Sequence, residues 1–354
     1  MNPFKFGTIV QDDFFTDRKN ELAELCHKLD SENHVVLVSP RRFGKSSLVF
    51  KALSQLDCPQ ICLDLQYVMS VGNFSEQLLR AIFKLYPFEK IKHLFSHFRV
   101  APTLSTNAVT GALDVSFQPV ANSQILLEDA MNLLQKVAQQ SEQRMIVVLD
   151  EFQEVVKIQD GFDKQLRSLM QRQQGVNYIL LGSQESMMEE IFEKKKSPFY
   201  HFGQIMRLNK IPYQDFYDYI YLRLPDIDET AKGQIADNIL QFTQCHPYYT
   251  QQLASQVWEL IVYRGVIDHV VDSAIEALQC LHDLDFERLW LAQNRTDRAT
   301  LKRLAACLPA SAQQPSSTVQ SSLKRLVRQG YVVRTEVYAI EDPFFRRWIL
   351  SKIN

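Results

Sequence analysis

Hydrophobic residues fall along this chain in two rhythms. The first is a set of short runs that are apolar at nearly every position. Val35, Val36, Leu37 and Val38 form one, and residues 145–149 (Met-Ile-Val-Val-Leu) form another. Residues 178–181 (Tyr-Ile-Leu-Leu) and the stretch Ile61, Cys62, Leu63, Asp64, Leu65 are similar. Runs this short and this apolar predict strands buried on both faces, the state of parallel strands covered by helices. Ile205, Met206, Arg207 and Leu208 predict an edge strand that closes the sheet.

The second rhythm is helical. Leu22, Leu25 and Leu29 recur at helical spacing after Asp17, a candidate cap. Residues 70–98, 123–140 and 159–174 carry further amphipathic patterns between the strand-like runs. Strands that alternate with helices predict an α/β layer fold with a parallel sheet. Residues 100–121 break the rhythm with Thr, Ser, Ala, Val, Pro102, Gly111 and Pro119, and predict an inserted hairpin or loop.

After Pro212 the strand-like runs stop. Phe216, Tyr217, Tyr219 and Ile220 predict one helix, and Ile235, Ile239, Leu240 and Phe242 a second. Tyr249, Leu253, Val257, Trp258 and Ile261 predict a third. Pro247 marks the break before this third helix, and His246 reads as a cap or core residue. Helices are then predicted over 296–307 and 315–329, followed by two strands at 330–334 and 337–340. Helix, helix, hairpin is the plan of a winged helix. The expected layout is therefore a sheet domain over 1–210, a helical domain over 211–285 and a winged helix over 286–354.

Composition narrows the class. The chain has 354 residues, 46% hydrophobic and 23% charged, enough for two or three soluble globular domains. Six scattered cysteines form no C-x-x-C pair, which argues against a zinc site or disulfide framework and for a reducing, cytoplasmic setting. No run approaches the roughly 18 apolar residues of a membrane span. The net charge is −2, unevenly spread. Residues 286–354 hold 12 Lys/Arg against 5 Asp/Glu, a net of +7, and residues 1–285 a net of −9. A basic end on an acidic body suits an anionic partner such as DNA, or a lobe that docks on the body.

The chemistry sits at strand ends. The apolar run 35–38 is followed by Ser39, Pro40, Arg41, Arg42, Phe43, Gly44, Lys45, Ser46 and Ser47. A strand that turns through Gly-Lys-Ser into a helix can cradle phosphate. Backbone N–H groups and the helix N-terminus face the anion, Lys45 brings charge, and the Ser46 hydroxyl suits Mg²⁺. The usual pattern begins with glycine, and Ser39 stands in that place. The run 145–149 ends in Asp150 and Glu151. Ligands bind at the carboxyl ends of strands in open α/β sheets. Asp150 is thus a candidate Mg²⁺ ligand and Glu151 a candidate base for an attacking water. Gly182, Ser183 and Gln184 follow the run 178–181, and Ser183 is a candidate for positioning that water. Asp64 either lines the site or caps a loop. Arg207 is a candidate contact to a phosphate or to a neighbouring subunit, or else forms a surface salt bridge.

These motifs together resemble the AAA+/STAND superfamily of P-loop ATPases, in particular archaeal-ATPase-like prokaryotic proteins. The resemblance rests on Phe15-x-x-Arg18-x-x-Glu21, the segment Pro40 to Ser47, Leu149-Asp150-Glu151, Gly182-Ser183, His246-Pro247-Tyr248-Tyr249, and Tyr338-x-x-x-Asp342-Pro343-Phe344. It spans nearly the whole chain, and in that group Pro-Arg-Arg-x-Gly-Lys-Ser is a usual form of the loop. It implies a P-loop NTPase sheet flanked by helices, followed by a helical lid and a C-terminal winged helix. Val10 and the segment Phe15 to Arg18 would flank adenine. Pro40, Arg41, Arg42, Phe43, Gly44, Lys45, Ser46 and Ser47 would bind the nucleotide, and Ser46 and Asp150 the Mg²⁺. Lys45, Glu151 and Ser183 would carry catalysis, and Pro247 would let the lid feel the nucleotide. Arg172 and Arg207 are candidates for an arginine finger. Two functions follow as expectations: an ATP-hydrolysing switch, or a weakly hydrolysing, nucleotide-gated regulator or oligomerising scaffold. The second would touch DNA through Lys324, Arg325, Arg328 and Arg334, or bind a protein partner.

Overall fold

The computed structural model describes residues 1–352 except 11–13, 16–17, 32, 87–90, 92, 95–98, 100–101, 107–112, 118–122, 142, 309–315 and 335–336. The cap expected at Asp17 lies outside the described residues. The chain divides into two compact units. One holds residues 20–40 and 48–208, and the other holds 1–19, 41–47 and 209–354.

The first unit is built on a parallel sheet. Its strands in chain order are β1 (Val35–Val38), β2 (Gln60–Asp64), β5 (Met145–Asp150), β6 (Val176–Gly182) and β7 (Gln204–Arg207), with an antiparallel pair, β3 (Pro102–Thr106) and β4 (Leu113–Phe117), in between. That pair is the hairpin expected over 100–121. The sheet order is β2-β5-β6-β1-β7, parallel throughout. Every residue of β1 and β6 is buried, as a strand covered on both faces requires, whereas β7 exposes three of its four residues at the edge. The register sets Asp64 beside Asp150, Gly182 beside Val38, and Val38 beside Arg207. One edge of the sheet therefore carries every strand's carboxyl end.

Helices Val71–Leu85, Ser123–Gln140 and Phe162–Arg172 turn their apolar faces into this unit's core. Ser70 caps the first by accepting a hydrogen bond from the Asn73 N–H. Each fully buried Leu, such as Leu79, Leu127 and Leu166, adds about 1.5–3 kcal/mol. His34 stacks on Phe202, with ring centroids 4.4 Å apart, and its Nδ1 accepts the Tyr178 N–H at 3.2 Å. Burial pushes its imidazole down to about 4, with Arg167 adding to the effect.

The second unit is mostly helical. Tyr213–Arg223, Glu229–Thr243, Pro247–Arg264, Val270–Leu281 and Asp283–Leu291 come first, then Arg295–Ala305 and Ser316–Arg328. Strands β8 (Val332–Arg334) and β9 (Tyr338–Ile340) pair antiparallel, and helix Pro343–Ser351 follows. Proline opens Pro247–Arg264, and Gly265 ends it at φ +65, where its N–H reaches back to the Ile261 and Leu260 carbonyls. One apolar core joins Phe216, Leu253 and Val257 to Leu301, Leu326, Phe344 and Phe345. The N-terminal segment belongs to this core. Phe4 is buried against Tyr219, and Asn2 Nδ2 donates to Ser255 O at 3.1 Å and Oγ at 2.8 Å. No described helix is long and apolar enough to cross a membrane.

Candidate nucleotide site

The carboxyl edge of the sheet carries the candidate acids. β5 ends in Asp150, and Glu151 follows with a left-handed backbone, φ +50 and ψ +45. A non-glycine residue pays about 1–2 kcal/mol for that conformation. The local geometry holds it there: the Glu151 N–H donates to Asp150 Oδ1 at 2.8 Å, and its carbonyl accepts the Glu154 N–H at 2.9 Å. A 3-10 turn, Phe152–Glu154, comes next. Phe152 is fully buried and anchors this turn against Phe192 and Phe199.

The Glu151 side chain is clamped. Ser183 Oγ, just past the end of β6, donates to Glu151 Oε2 at 2.6 Å. Gln153 Nε2 donates to the same oxygen in a short hydrogen bond. Oε1 has no partner among the described residues. A carboxylate oriented through one oxygen, with the other open, has the form of a general base. Ser183 sits there because Gly182 allows a close approach. A Cβ at Gly182 would meet Met188 Sδ at 2.2 Å.

β1 leaves the same edge. Ser39 is fully buried; its N–H donates to Gly182 O at 3.3 Å and its Oγ to Pro40 O at 3.0 Å. Its φ is not positive, so glycine is not required at this position. The left-handed positions of the loop are Arg42 (φ +63) and Gly44 (φ +87), and a Cβ at Gly44 would find open space. The helix Lys45–Leu53 begins at the lysine, which is buried.

Within the second unit, residues 41–47 are held by distant parts of the chain. Arg18 is buried and donates to Phe43 O at 3.0 Å and to Asn209 O at 2.9 Å. Val10 N–H donates to Ser47 Oγ at 3.0 Å. The Phe43 ring meets His246 edge-on at 4.9 Å. The Arg42 guanidinium lies 4.5 Å from the Tyr248 ring centre and donates to the Tyr249 hydroxyl at 3.3 Å. The Asp342 carboxyl accepts the Phe344 and Phe345 N–H groups. Burial pushes the Asp342 carboxyl up and the His246 imidazole down. His246 occupies the N-cap position of Pro247–Arg264, as a buried core residue, and Pro247 beside it is buried.

Other candidates are placed as follows. Asp64 caps the 3-10 turn Leu65–Tyr67 through the Gln66 N–H. Arg207 forms a surface ion pair with Glu193. Arg172 closes helix Phe162–Arg172 ahead of β6, at the opposite edge of the sheet from Ser183. Phe15 is half-buried. Arg325 is committed to Asp297, with Nη2–Oδ1 at 2.6 Å, while Lys324, Arg328 and Arg334 are exposed. The group that sequence reasoning missed is Gln153, because an amide two residues past an Asp-Glu pair carries no pattern of its own.

The Ser46 hydroxyl and the Asp150 carboxylate are hard oxygen donors, and Mg²⁺ commonly takes one or two of these plus phosphate and water. No cluster of three or more His, Cys, Asp or Glu that could hold a metal exists among the described residues.

A five-stranded parallel sheet with a Gly-Lys-Ser loop after one strand and Asp-Glu after another defines the class of P-loop ATPases. The chain belongs to the family described as "ATPase domain predominantly from Archaea", whose model matches residues 15–220. Among solved structures it is similar to a Walker-type ATPase, PABY2304, of Pyrococcus abyssi. The TM-score is 0.67 at 17% identity, over 98% of this chain and 99% of that one. It is also similar to the ORC2 protein of Aeropyrum pernix in ADPNP–ADP complexes, with TM-score 0.59, 14% identity and 99% of each chain covered. The ORC1 protein of the same organism, in complex with DNA, matches with TM-score 0.51 and 14% identity, over 96% of this chain and 94% of that one. At these identities the likeness concerns the fold. No curated protein matches the sequence.

Proposed function

We propose that this ATPase hydrolyses Mg-ATP and works as a nucleotide-driven switch of the STAND type. The observation that carries the reading is the clamped Glu151 on the sheet edge from which the phosphate loop departs. Lys45 and the loop N–H groups bind the phosphates, with Ser47 and Arg18 supporting the loop and Pro40 to Phe43 shaping its course. Ser46 and Asp150 hold Mg²⁺, which neutralises charge on the phosphate oxygens when bound. Glu151 Oε1 takes a proton from water as the water oxygen bonds to the γ-phosphorus. The bond from that phosphorus to the bridging oxygen breaks, and ADP leaves with the electron pair. Lys45 stabilises the charge that develops. Ser183 keeps Glu151 in line. The switch reading is supported by Phe43 and Arg42, which lie against His246, Tyr248 and Tyr249 at the start of a helix in the lid region. In this reading residues 211–285 act as the lid and 286–354 as a winged helix. Comparing ATP turnover by the purified chain and by its Glu151→Gln variant tests it: equal rates contradict it.

A second reading has its own observation. Lys324 and Arg328 are exposed on helix Ser316–Arg328, and Arg334 on β8, in a segment of net charge +7. They suit phosphates of a DNA backbone, so a nucleotide-gated DNA regulator, acting alone or as an oligomer, is the alternative. Arg325 contributes less because Asp297 holds it. Binding of duplex DNA that weakens steeply with added salt supports this reading. No shift of any DNA at low salt removes it.

A further inference from the structure

We infer that Gln153 is a positioning residue for Glu151, setting which carboxylate oxygen faces the water. The inference rests on the ATPase reading above. Gln153 is fully buried, in the turn that Phe152 pins into the core. Its Nε2 and Ser183 Oγ both donate to Glu151 Oε2. An ionised carboxylate has no proton to give, so the amide must present its NH₂ to it. Two donors on one oxygen stop the carboxylate from turning and leave Oε1 as the open acceptor.

The other end of the same amide argues for function over packing. Gln153 Oε1 is buried without a hydrogen-bond partner among the described residues. Burying a carbonyl oxygen unpaired is unfavourable. An unbranched apolar side chain of similar length would fill this space at lower cost. A glutamine here sacrifices stability, and the contact its amide makes is with the proposed base. The left-handed backbone of Glu151 points the same way, because strain of this kind persists where the surroundings over-determine a functional geometry.

Gln153→Met tests the inference, since it keeps length and removes the donor. The expected result is a kcat for ATP hydrolysis lower by about 10- to 100-fold, the range for losing a hydrogen bond to a charged group. KM for ATP and the affinity for a non-hydrolysable ATP analogue change by less than about two-fold, and the melting temperature holds or rises. Ser183→Ala lowers kcat in the same sense. The double variant Gln153→Met/Ser183→Ala falls no lower than Glu151→Gln, because both act through that carboxylate. Gln153→Leu reads the same quantities if the methionine variant misfolds. An unchanged kcat, a parallel loss of affinity and stability, or a double variant below the Glu151→Gln rate overturns the inference. Normal turnover by Glu151→Gln overturns the ATPase reading and this inference together. Loss of turnover in Glu151→Gln with none in Gln153→Met overturns this inference alone.

Discussion

Two residues of this protein adopt a left-handed backbone without being glycine at places that matter for the nucleotide: Glu151 after β5 and Arg42 in the phosphate loop. They are held in opposite ways. Glu151 is fixed by neighbours, namely Asp150, Gln153 and Glu154, and by Ser183 just past the end of β6. Arg42 is fixed by aromatic residues about two hundred positions later, Tyr248 and Tyr249. The acids are held by contacts within their own unit. The loop is held by contacts within the unit that carries the C-terminal helices. In the proposed reading, Glu151 accepts a proton and needs a constant geometry, whereas the loop reports its occupancy and needs partners that can respond.

Removing the support of the acids should have the larger effect. Phe152→Ala empties the space under the Glu151 turn. Replacing a fully buried Phe by Ala costs about 3–5 kcal/mol, read as a lower urea midpoint. Turnover should fall with it, because Gln153 and Glu151 ride on the same turn. A variant with the lost stability but full activity would show that the acids do not depend on the turn.

The loop gives a smaller and more pointed effect. Arg42→Gly and Arg42→Ala both lose the contacts to Tyr248 and Tyr249. Only the glycine variant relieves the backbone at φ +63, so it should be the more stable of the two by about 1–2 kcal/mol. Equal stabilities would mean that Arg42 is not held left-handed in solution, and the contrast with Glu151 would disappear.

The parts of this site that were readable from sequence are those with a period or a chemical signature. The runs at β1, β5 and β6 are apolar at every position because both faces of a parallel sheet are covered, and that leaves a mark on the chain. Gly44, Lys45, Asp150 and Glu151 stand out because few other residue types do their chemistry. Helix Pro247–Arg264 was marked by its opening proline. What was not readable depends on contacts between distant positions. Nothing near Phe4 or Asn2 indicates that their partners are Tyr219 and Ser255. Nothing near Arg325 indicates that Asp297 takes up its charge. Ser39 looked like a defect because the usual motif has glycine there, but the need for a positive φ falls at Arg42 and Gly44 instead.

The central claim is that Glu151 acts on bound ATP and does not hold it. The direct measurement pairs equilibrium binding of ATP with single-turnover hydrolysis, for the wild-type chain and for Glu151→Gln. General-base catalysis contributes about 10²- to 10⁴-fold, so hydrolysis should slow by that order in the variant. Its affinity for ATP should stay within about two-fold, since Lys45 and the loop are untouched. A variant that hydrolyses bound ATP at the wild-type rate, or that loses ATP binding altogether, contradicts the account.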